Sequence, residues 1–415
     1  MTTWTGEHHA GRPAASSAGY AQSTGVSCSK PIELGYETPS PQPTEFTGTA
    51  EHLLALLSRT RPRPATIDDQ TVSRVIRLSQ LRAEQGPAAA VLKVARGLRG
   101  SEELRAQRRV LAEIASHPGL DEDWRQLLPK TLAFDERTDA TVSVESYRPG
   151  IDLAEVLARH PNRFEELTAA ALSAIAPLHQ ATARIIVVDN VCVLRQSVIE
   201  PVAHLTHSCQ RLDPSLVSKL DRLETMLAGA LVGRRMPVSW THGDYTPGNV
   251  RVAGMQGPVN GIVGWGGAQA DRPALVDEYL IILTASCQVE RAHLGTIVSE
   301  RLRAGGLSAS ERNALRAACG RSGTDIGARE CIDERFAILL AWLHHAAALW
   351  RKRATQPNHQ IWWATNVTPV LEAVAAWQGF DVSREAEHDV ASSPSMTRSP
   401  RVDDSAQAQV NEAVG

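Results

Sequence analysis

Residues 241–250 read THGDYTPGNV, and Asp244 and Asn249 stand five apart with Pro247 and Gly248 between them. Proline lacks the amide hydrogen that a helix uses, and glycine loses the most backbone freedom on ordering, so the stretch predicts a loop. Such a loop can turn one carboxylate and one amide oxygen toward a common point. The carboxylate can accept a proton from a hydroxyl, and the amide oxygen can ligate a hard cation such as Mg²⁺. Phosphoryl transfer asks for that pair: one group to orient the nucleophile, one to hold a metal on the phosphates. His242, next to them, is expected to hydrogen-bond the loop backbone rather than to act in the chemistry.

Working outward, the part before the loop begins with strands. Thr71–Gln80 carries Val72, Val75, Ile76 and Leu78, and Ala88–Ala95 (AAAVLKVA) is a short apolar run, with the turn signal Gln85-Gly86-Pro87 between them. Ser101 is expected to cap a helix through SEELRAQRRVLAEIAS, with Glu102 and Glu103 in its first turn and Leu104, Gln107, Leu111 and Ile114 on one face. Thr141–Ser146 alternates as a further strand, closed by Arg148-Pro149-Gly150. From Asp152 the pattern turns helical, with helices expected around Leu167–Leu178, Leu216–Leu231, Arg335–Trp350 and Val367–Trp377. Between them lies an irregular glycine-rich stretch, Trp240–Pro273. A small sheet with one helix, followed by a helical body, is an α+β arrangement with segregated layers.

The chain's 415 residues suit two lobes. The expected division is a disordered arm over 1–47, an N-lobe over 48–147, a C-lobe over 148–385 and a disordered tail over 386–415. A formal net charge of -3 argues against a nucleic-acid binder. The sequence has no run of eighteen apolar residues to cross a membrane and no secretory signal pattern. The six cysteines are scattered without a C-x-x-C pair, which fits free thiols in a cytoplasmic protein. Of the 43 basic residues only five are lysine: Lys30, Lys93, Lys130, Lys219 and Lys352. Lys93 sits inside AAAVLKVA, where an ammonium is costly to bury without a partner.

HGDYTPGN, residues 242–249, resembles the catalytic loop of the aminoglycoside phosphotransferase family, which includes choline-kinase-like small-molecule kinases of bilobal, protein-kinase-like fold. Its surroundings resemble the family too: Leu178-His179 at a helix end, Tyr147-Arg148-Pro149-Gly150 after the hinge, and Gly261–Asp277 (GIVGWGGAQADRPALVD) in the metal-binding segment. The resemblance extends over roughly residues 65–380. It implies a small β-rich N-lobe, a larger helical C-lobe, and transfer of the γ-phosphate of ATP or GTP to a hydroxyl of a small molecule, aminoglycoside-like or another sugar or metabolite. It implies roles as well. Asp244 orients or deprotonates the acceptor, Asn249 binds Mg²⁺, and Lys93 pairs with the nucleotide phosphates. Glu145, Ser146 and Tyr147 form the hinge for adenine. Asp277 braces the loop.

Three departures stand against that pattern. The family's Asp-Trp pair, whose Asp ligates Mg²⁺, reads Gly264-Trp265 here. Asp271, seven residues on, is an alternative donor. The helix glutamate expected to pair with the strand lysine falls at Gln107, which is neutral, with Glu103 one turn earlier as a substitute. No glycine-rich loop precedes Lys93. An active kinase, a pseudokinase-like regulator that binds nucleotide or a metabolite, and an active lineage with one isolated change at Gly264 therefore all remain open. His344-His345 and His359 near Trp342, Trp350, Trp362 and Trp363 suggest a metal site or a cation-binding aromatic cage, but Trp342 and Trp350 have apolar helical neighbours and core packing is the favoured reading. Arg351-Lys352-Arg353 is assigned to a solvated helix end, and Trp362-Trp363, which follows the loop Pro357-Asn358-His359, is a candidate lining of the acceptor pocket.

Overall fold

The computed structural model describes residues 74–377, apart from 79–81, 84–85, 88–89, 96, 137–139, 189–190, 256, 323–331 and 354–357. The arm over 1–47, the tail over 386–415 and Cys28 and Cys331 lie outside the described residues.

Strands β1 (Arg74–Leu78), β2 (Ala90–Ala95), β3 (Thr131–Glu136) and β4 (Thr141–Ser146) form an antiparallel sheet in the order β1-β2-β4-β3. In the β2–β4 register Lys93 lies opposite Ser143 and Val91 opposite Glu145, so Lys93 and Glu145 are diagonal neighbours on one face. Ala90, Leu92, Val142 and Val144 make a small core of their own. Gly86-Pro87 pairs with Arg82-Ala83, in keeping with the turn signal there.

Helix α1 spans Leu98–Ser116. Its N-cap is Gly97, in extended backbone, and the Ser101 amide already donates to the Gly97 carbonyl at 3.0 Å. The expected cap at Ser101 is therefore one turn late: the helix starts before it, and Ser101 is a buried interior residue. Leu104, Gln107, Leu111 and Ile114 form the buried stripe, as the spacing predicts. Leu111 and Ile114 belong to the large core of the second lobe, so α1 fastens the small sheet to the helical body.

The second lobe holds α2 (Leu153–Arg159), α3 (Phe164–Ala181), α4 (Glu200–Leu212), α5 (Val217–Leu231), α6 (Leu275–Glu290), α7 (Leu294–Ala304), α8 (Ala309–Ser322), α9 (Glu334–Arg353), α10 (His359–Asn366) and α11 (Thr368–Ala376). The stretch read as irregular is built from short strands. Strands β5 (Ile151–Asp152), β8 (Val250–Val252) and β9 (Val259–Ile262) pair in the order β9-β8-β5, and β6 (Arg184–Val187), β7 (Arg235–Thr241) and β10 (Gln269–Pro273) pair in the order β10-β7-β6. The 242–249 loop leaves β7 and enters β8, while the 263–268 turn joins β9 to β10. The two loops thus meet at one edge, beneath α1. The result is an α+β, bilobal, protein-kinase-like fold. Among the described residues no helix is long and apolar enough to cross a membrane.

Candidate active site

The 242–249 loop is held by its own backbone and one carboxylate. Asp277, in the first turn of α6, is fully buried and accepts from the His242 amide at 2.6 Å and the Gly243 amide at 2.9 Å. His179 Nε2 lies 3.2 Å from the same carboxylate, which ties the end of α3 to the loop. Tyr245 is buried and donates its hydroxyl to the Ala171 carbonyl at 2.6 Å.

His242 Nε2 donates to the Val263 carbonyl at 2.9 Å, and Nδ1 accepts the Asp244 amide at 3.3 Å. One neutral tautomer serves both bonds, and burial lowers the His242 pKa. This histidine fastens the loop, as the sequence suggests. Gly243 has φ +73°, and a Cβ there would sit 2.1 Å from the Gly267 carbonyl oxygen, so the loop and the 263–268 turn approach as closely as glycine permits.

Asp244 is half-buried, with Oδ1 3.3 Å from His345 Nδ1. Burial pushes this carboxyl up, but His345, by hydrogen bond and charge, followed by Lys352 and His242, outweighs it, and Asp244 sits below its ordinary value. Asn249 donates its amide nitrogen to the Asp244 carbonyl at 2.8 Å, with Asp244 Oδ2 3.5 Å away. The network thereby assigns the nitrogen to Asp244 and turns Asn249 Oδ1 toward Gly264.

Lys93 finds its partner within the sheet. Its ammonium lies 3.0 Å from Glu145 Oε2, with the two side chains 12% and 5% exposed. Gln107 Nε2 donates to Glu145 Oε1 at 2.7 Å, and Ser143 Oγ lies 3.5 Å from that oxygen. Gln107 thus reaches Lys93 through Glu145. Glu145 is not a hinge residue offering backbone to a ring: it lies inside β4, between Val91 and Thr131, with its side chain on the Lys93 face. The period-2 alternation of TVSVES forces that, since Ser143 and Glu145 share a face. At the strand's end Ser146 and Lys130 exchange bonds, each 2.8 Å long, and Tyr147 follows, half-buried.

At Gly264 the backbone is left-handed, φ +86° and ψ 32°. A Cβ at that point would sit 2.6 Å from Asn249 Oδ1. The glycine suits its turn: a side chain there carries left-handed strain and obliges the Asn249 side-chain amide to shift. Trp265 is buried, donates to the Ile262 carbonyl at 2.8 Å and packs 4.6 Å from the His242 ring, which accounts for it as an anchor. Asp271 does not reach in: its Oδ1 accepts from Arg184 Nε at 2.7 Å on the exposed face of the β6–β7–β10 sheet.

Mg²⁺ is ordinarily held by one or two carboxylates together with phosphate and water. The oxygens on hand are Asn249 Oδ1, a neutral donor beside the closed Gly264 turn, and the Asp244 carboxylate, engaged by His345. No group of three or more His, Cys, Asp or Glu able to hold a metal occurs among the described residues. The residues present do not fit a protein-held Mg²⁺.

Two side chains that the sequence assigns elsewhere belong to the site. His345, raised as part of a metal site or aromatic cage, touches Asp244 instead. Lys352, given to a solvated end, has its ammonium 3.1 Å from Glu103 Oε1 across the lobes, and Arg99 of α1 donates to the Arg351 carbonyl beside it. The usable signal was position: His345 and Lys352 are polar, seven apart, and so share a face of the apolar helix α9. The expectations for Trp342 and Trp350 hold: both are buried, donating to the Asn366 carbonyl and to Ser208 Oγ. Trp362-Trp363 lies in helix α10, which begins at His359, and Trp363 is buried edge-on to Trp350 at 4.7 Å. A pocket of about 400 Å³ lined by Asn162, Glu165, Val289 and Ser310 opens at the other end of α6, away from Asp277 and the loop it braces.

Residues 73–275 match the family model described as "Phosphotransferase enzyme family". Among curated proteins no sequence match was found. Among solved structures the chain is similar to an aminoglycoside-3'-phosphotransferase of type VIII at 15% identity and TM-score 0.45, over 72% of this chain and 98% of that one. It is similar to the aminoglycoside phosphotransferase APH(3'')-Id of Streptomyces rimosus at 15% identity and TM-score 0.40, over 65% and 92%. A third similarity is to the ADP-bound aminoglycoside phosphotransferase APH(2'')-Ib, at 11% identity and TM-score 0.44, over 78% and 97%.

Proposed function

We propose, from the membership of residues 73–275 in the phosphotransferase enzyme family, that the protein moves the γ-phosphate of ATP or GTP to a hydroxyl of a small molecule. The observation that carries the reading is the pairing of a braced Asp244–Asn249 loop with a strand ammonium, Lys93, whose counter-charge Glu145 stands beside it.

In this reading the triphosphate lies under the sheet and meets Lys93, which Glu145 and Gln107 hold in place. The acceptor hydroxyl donates to Asp244. With His345 on Oδ1, Oδ2, which has only the long 3.5 Å contact from Asn249 Nδ2, is the oxygen that receives it. A carboxyl held below its ordinary value is a weak base, so Asp244 orients the hydroxyl more than it deprotonates it. That suffices, because a loose phosphoryl-transfer transition state needs little proton removal before bond formation. Asn249 fixes the loop.

The acceptor follows from charge. A polycation such as an aminoglycoside needs carboxylates around it. The helix beside Asp244 presents His345 and Lys352 instead, so a neutral or anionic hydroxylated metabolite is the better match. A nucleotide-rich, reducing compartment, the cytoplasm, suits the buried thiol of Cys209 and the half-buried one of Cys287.

A second reading, a nucleotide-binding regulator without transfer, is favoured by the closed Gly264 turn. One experiment separates the two. Nucleoside triphosphate turnover is measured on a panel of hydroxylated acceptors with the native chain and with Asp244→Asn, alongside nucleotide binding by calorimetry. Transfer predicts turnover that falls about a hundredfold or more in the variant with nucleotide binding kept. Binding without turnover by the native chain on every acceptor establishes the regulator; turnover untouched by Asp244→Asn overturns the catalytic assignment.

A further inference from the structure

At the turn where the resembled family carries a metal-binding aspartate, this chain has no carboxylate. The charge of a polyphosphate must still be met. Lys93 meets it from the sheet side, and the opposite side of the cleft holds an ammonium the sequence pattern does not assign.

That ammonium is Lys352. It comes from the last turn of α9, in the second lobe, and reaches across to Glu103 of α1 at 3.1 Å. Glu103 in turn packs on the 263–268 turn: its Oε1 lies 3.1 Å from where a Cβ of Gly266 would be. Lys352 is therefore held over the very turn that lacks the aspartate. Two helical turns earlier on the same face of α9, His345 stands 3.3 Å from Asp244. The charge of Lys352 is felt by Asp244 as well. On α1, Glu103 precedes Gln107 by one turn, and Gln107 leads through Glu145 to Lys93. Two of the chain's five lysines thus converge on one face of α1, one from each lobe, each parked on one carboxylate.

The two parking places differ. Glu145 is buried, whereas Glu103 and Lys352 are 32% and 38% exposed. An exposed pair of this kind contributes little, and a polyphosphate carrying several charges displaces it readily. A lysine's flexible four-carbon stem allows the ammonium to swing from one anion to the other.

We propose that Lys352 is a second phosphate-binding residue, released from Glu103 when nucleotide enters, and that it takes the charge-neutralising place of a carboxylate-held Mg²⁺. This rests on the nucleotide-binding reading above. The rival role for Lys352 is a strap that only joins the lobes.

The test is equilibrium binding of ATP to the full chain, in EDTA and in millimolar Mg²⁺, with adenosine as the phosphate-free probe and thermal midpoints as the check on folding. The native chain is expected to bind ATP in EDTA nearly as tightly as with Mg²⁺. Lys352→Met should lose about tenfold to a hundredfold in EDTA, with adenosine binding unchanged. Lys352→Arg should keep most of the metal-free affinity. Glu103→Gln, which frees the ammonium, should bind ATP as tightly as the native chain or more so. Equal ATP affinity of Lys352→Met and the native chain in EDTA overturns the proposal. So does a loss in Glu103→Gln as large as in Lys352→Met, which is the signature of a strap. A native chain that binds neither ATP nor GTP under any condition overturns the nucleotide reading, and this inference with it.

Discussion

Lys93 and Gly264 sit at the two places where the chain departs from the charge pattern of the family it resembles, and the structure treats them in opposite ways. At Lys93 the expected helix glutamate is gone, but a carboxylate is still there. It stands on strand β4 rather than helix α1, as Glu145, and the neutral Gln107 at the helix position donates to it. At Gly264 the expected aspartate is gone and nothing has moved in. The backbone has instead settled into a left-handed turn whose missing Cβ leaves space for Asn249. A vacancy in a motif is thus not one kind of event. Where the environment still demands the charge, as a buried ammonium does, the charge reappears from another element. Where the backbone has taken a left-handed glycine turn, putting a side chain back costs strain and displaces the Asn249 amide.

The largest effect that tests this contrast lies at Glu145. Glu145→Ala leaves the Lys93 ammonium with no anion, and breaking a buried pair on one side costs about 3–5 kcal/mol. The urea midpoint should fall accordingly. The sharper experiment is the exchange Glu145→Gln with Gln107→Glu, which returns the carboxylate to the helix. It is expected to recover most of that loss, because the same three groups remain with two of them exchanged. A loss below about 1 kcal/mol in Glu145→Ala would mean that Lys93 finds water instead, and the idea of a relocated charge would go.

The Gly264 side of the comparison predicts a smaller effect. Gly264→Ala should cost about 1–3 kcal/mol, for the left-handed backbone and the displaced Asn249 amide. Gly264→Asp should cost about as much, since the strain arises at Cβ and not at the carboxylate. Millimolar Mg²⁺ should leave the midpoint of Gly264→Asp where it is. If Mg²⁺ raises that midpoint while leaving Gly264→Ala unmoved, the turn is open to a metal and the two departures are alike after all.

These regions also differ in how far the sequence discloses them. Strands β2 and β4, helix α1's buried stripe and the 242–249 loop were readable because each depends on local chemistry: alternation, helical spacing, Pro and Gly. The bracing by Asp277 followed the same motif. What the sequence did not disclose was direction across space. The resemblance assigns Glu145 to the hinge, next to the post-hinge turn. Its pairing follows only from the β2–β4 register, which aligns it diagonally with Lys93. His345 and Lys352 were not placed at the site because the element facing α9 is some hundred residues or more away in sequence. The conformation of Gly264 was unreadable because a glycine in sequence does not say which φ it has taken.

The smallest predicted effect concerns Asp244, which belongs to neither departure but feels the cations of the Gly264 side. Its carboxyl lies below its ordinary value: burial raises it, while the His345 hydrogen bond and charge, then Lys352 and His242, lower it more. A folded pKa below the unfolded one gives stability that is fully present above the unfolded value and lost as pH falls through the folded one. His345→Gln removes the first of the lowering contributions and leaves the burial, so the Asp244 pKa must rise. Two limbs should then move upward in pH together: the acid limb of kcat/KM for transfer and the onset of acid-side destabilisation in thermal unfolding. Glu145→Gln, on the other side of the comparison, should leave the position of the acid limb unchanged, since Glu145 is not among the groups that set Asp244. If the two variants shift the limb equally, the cleft is one electrostatic unit and the division between its two sides does not hold.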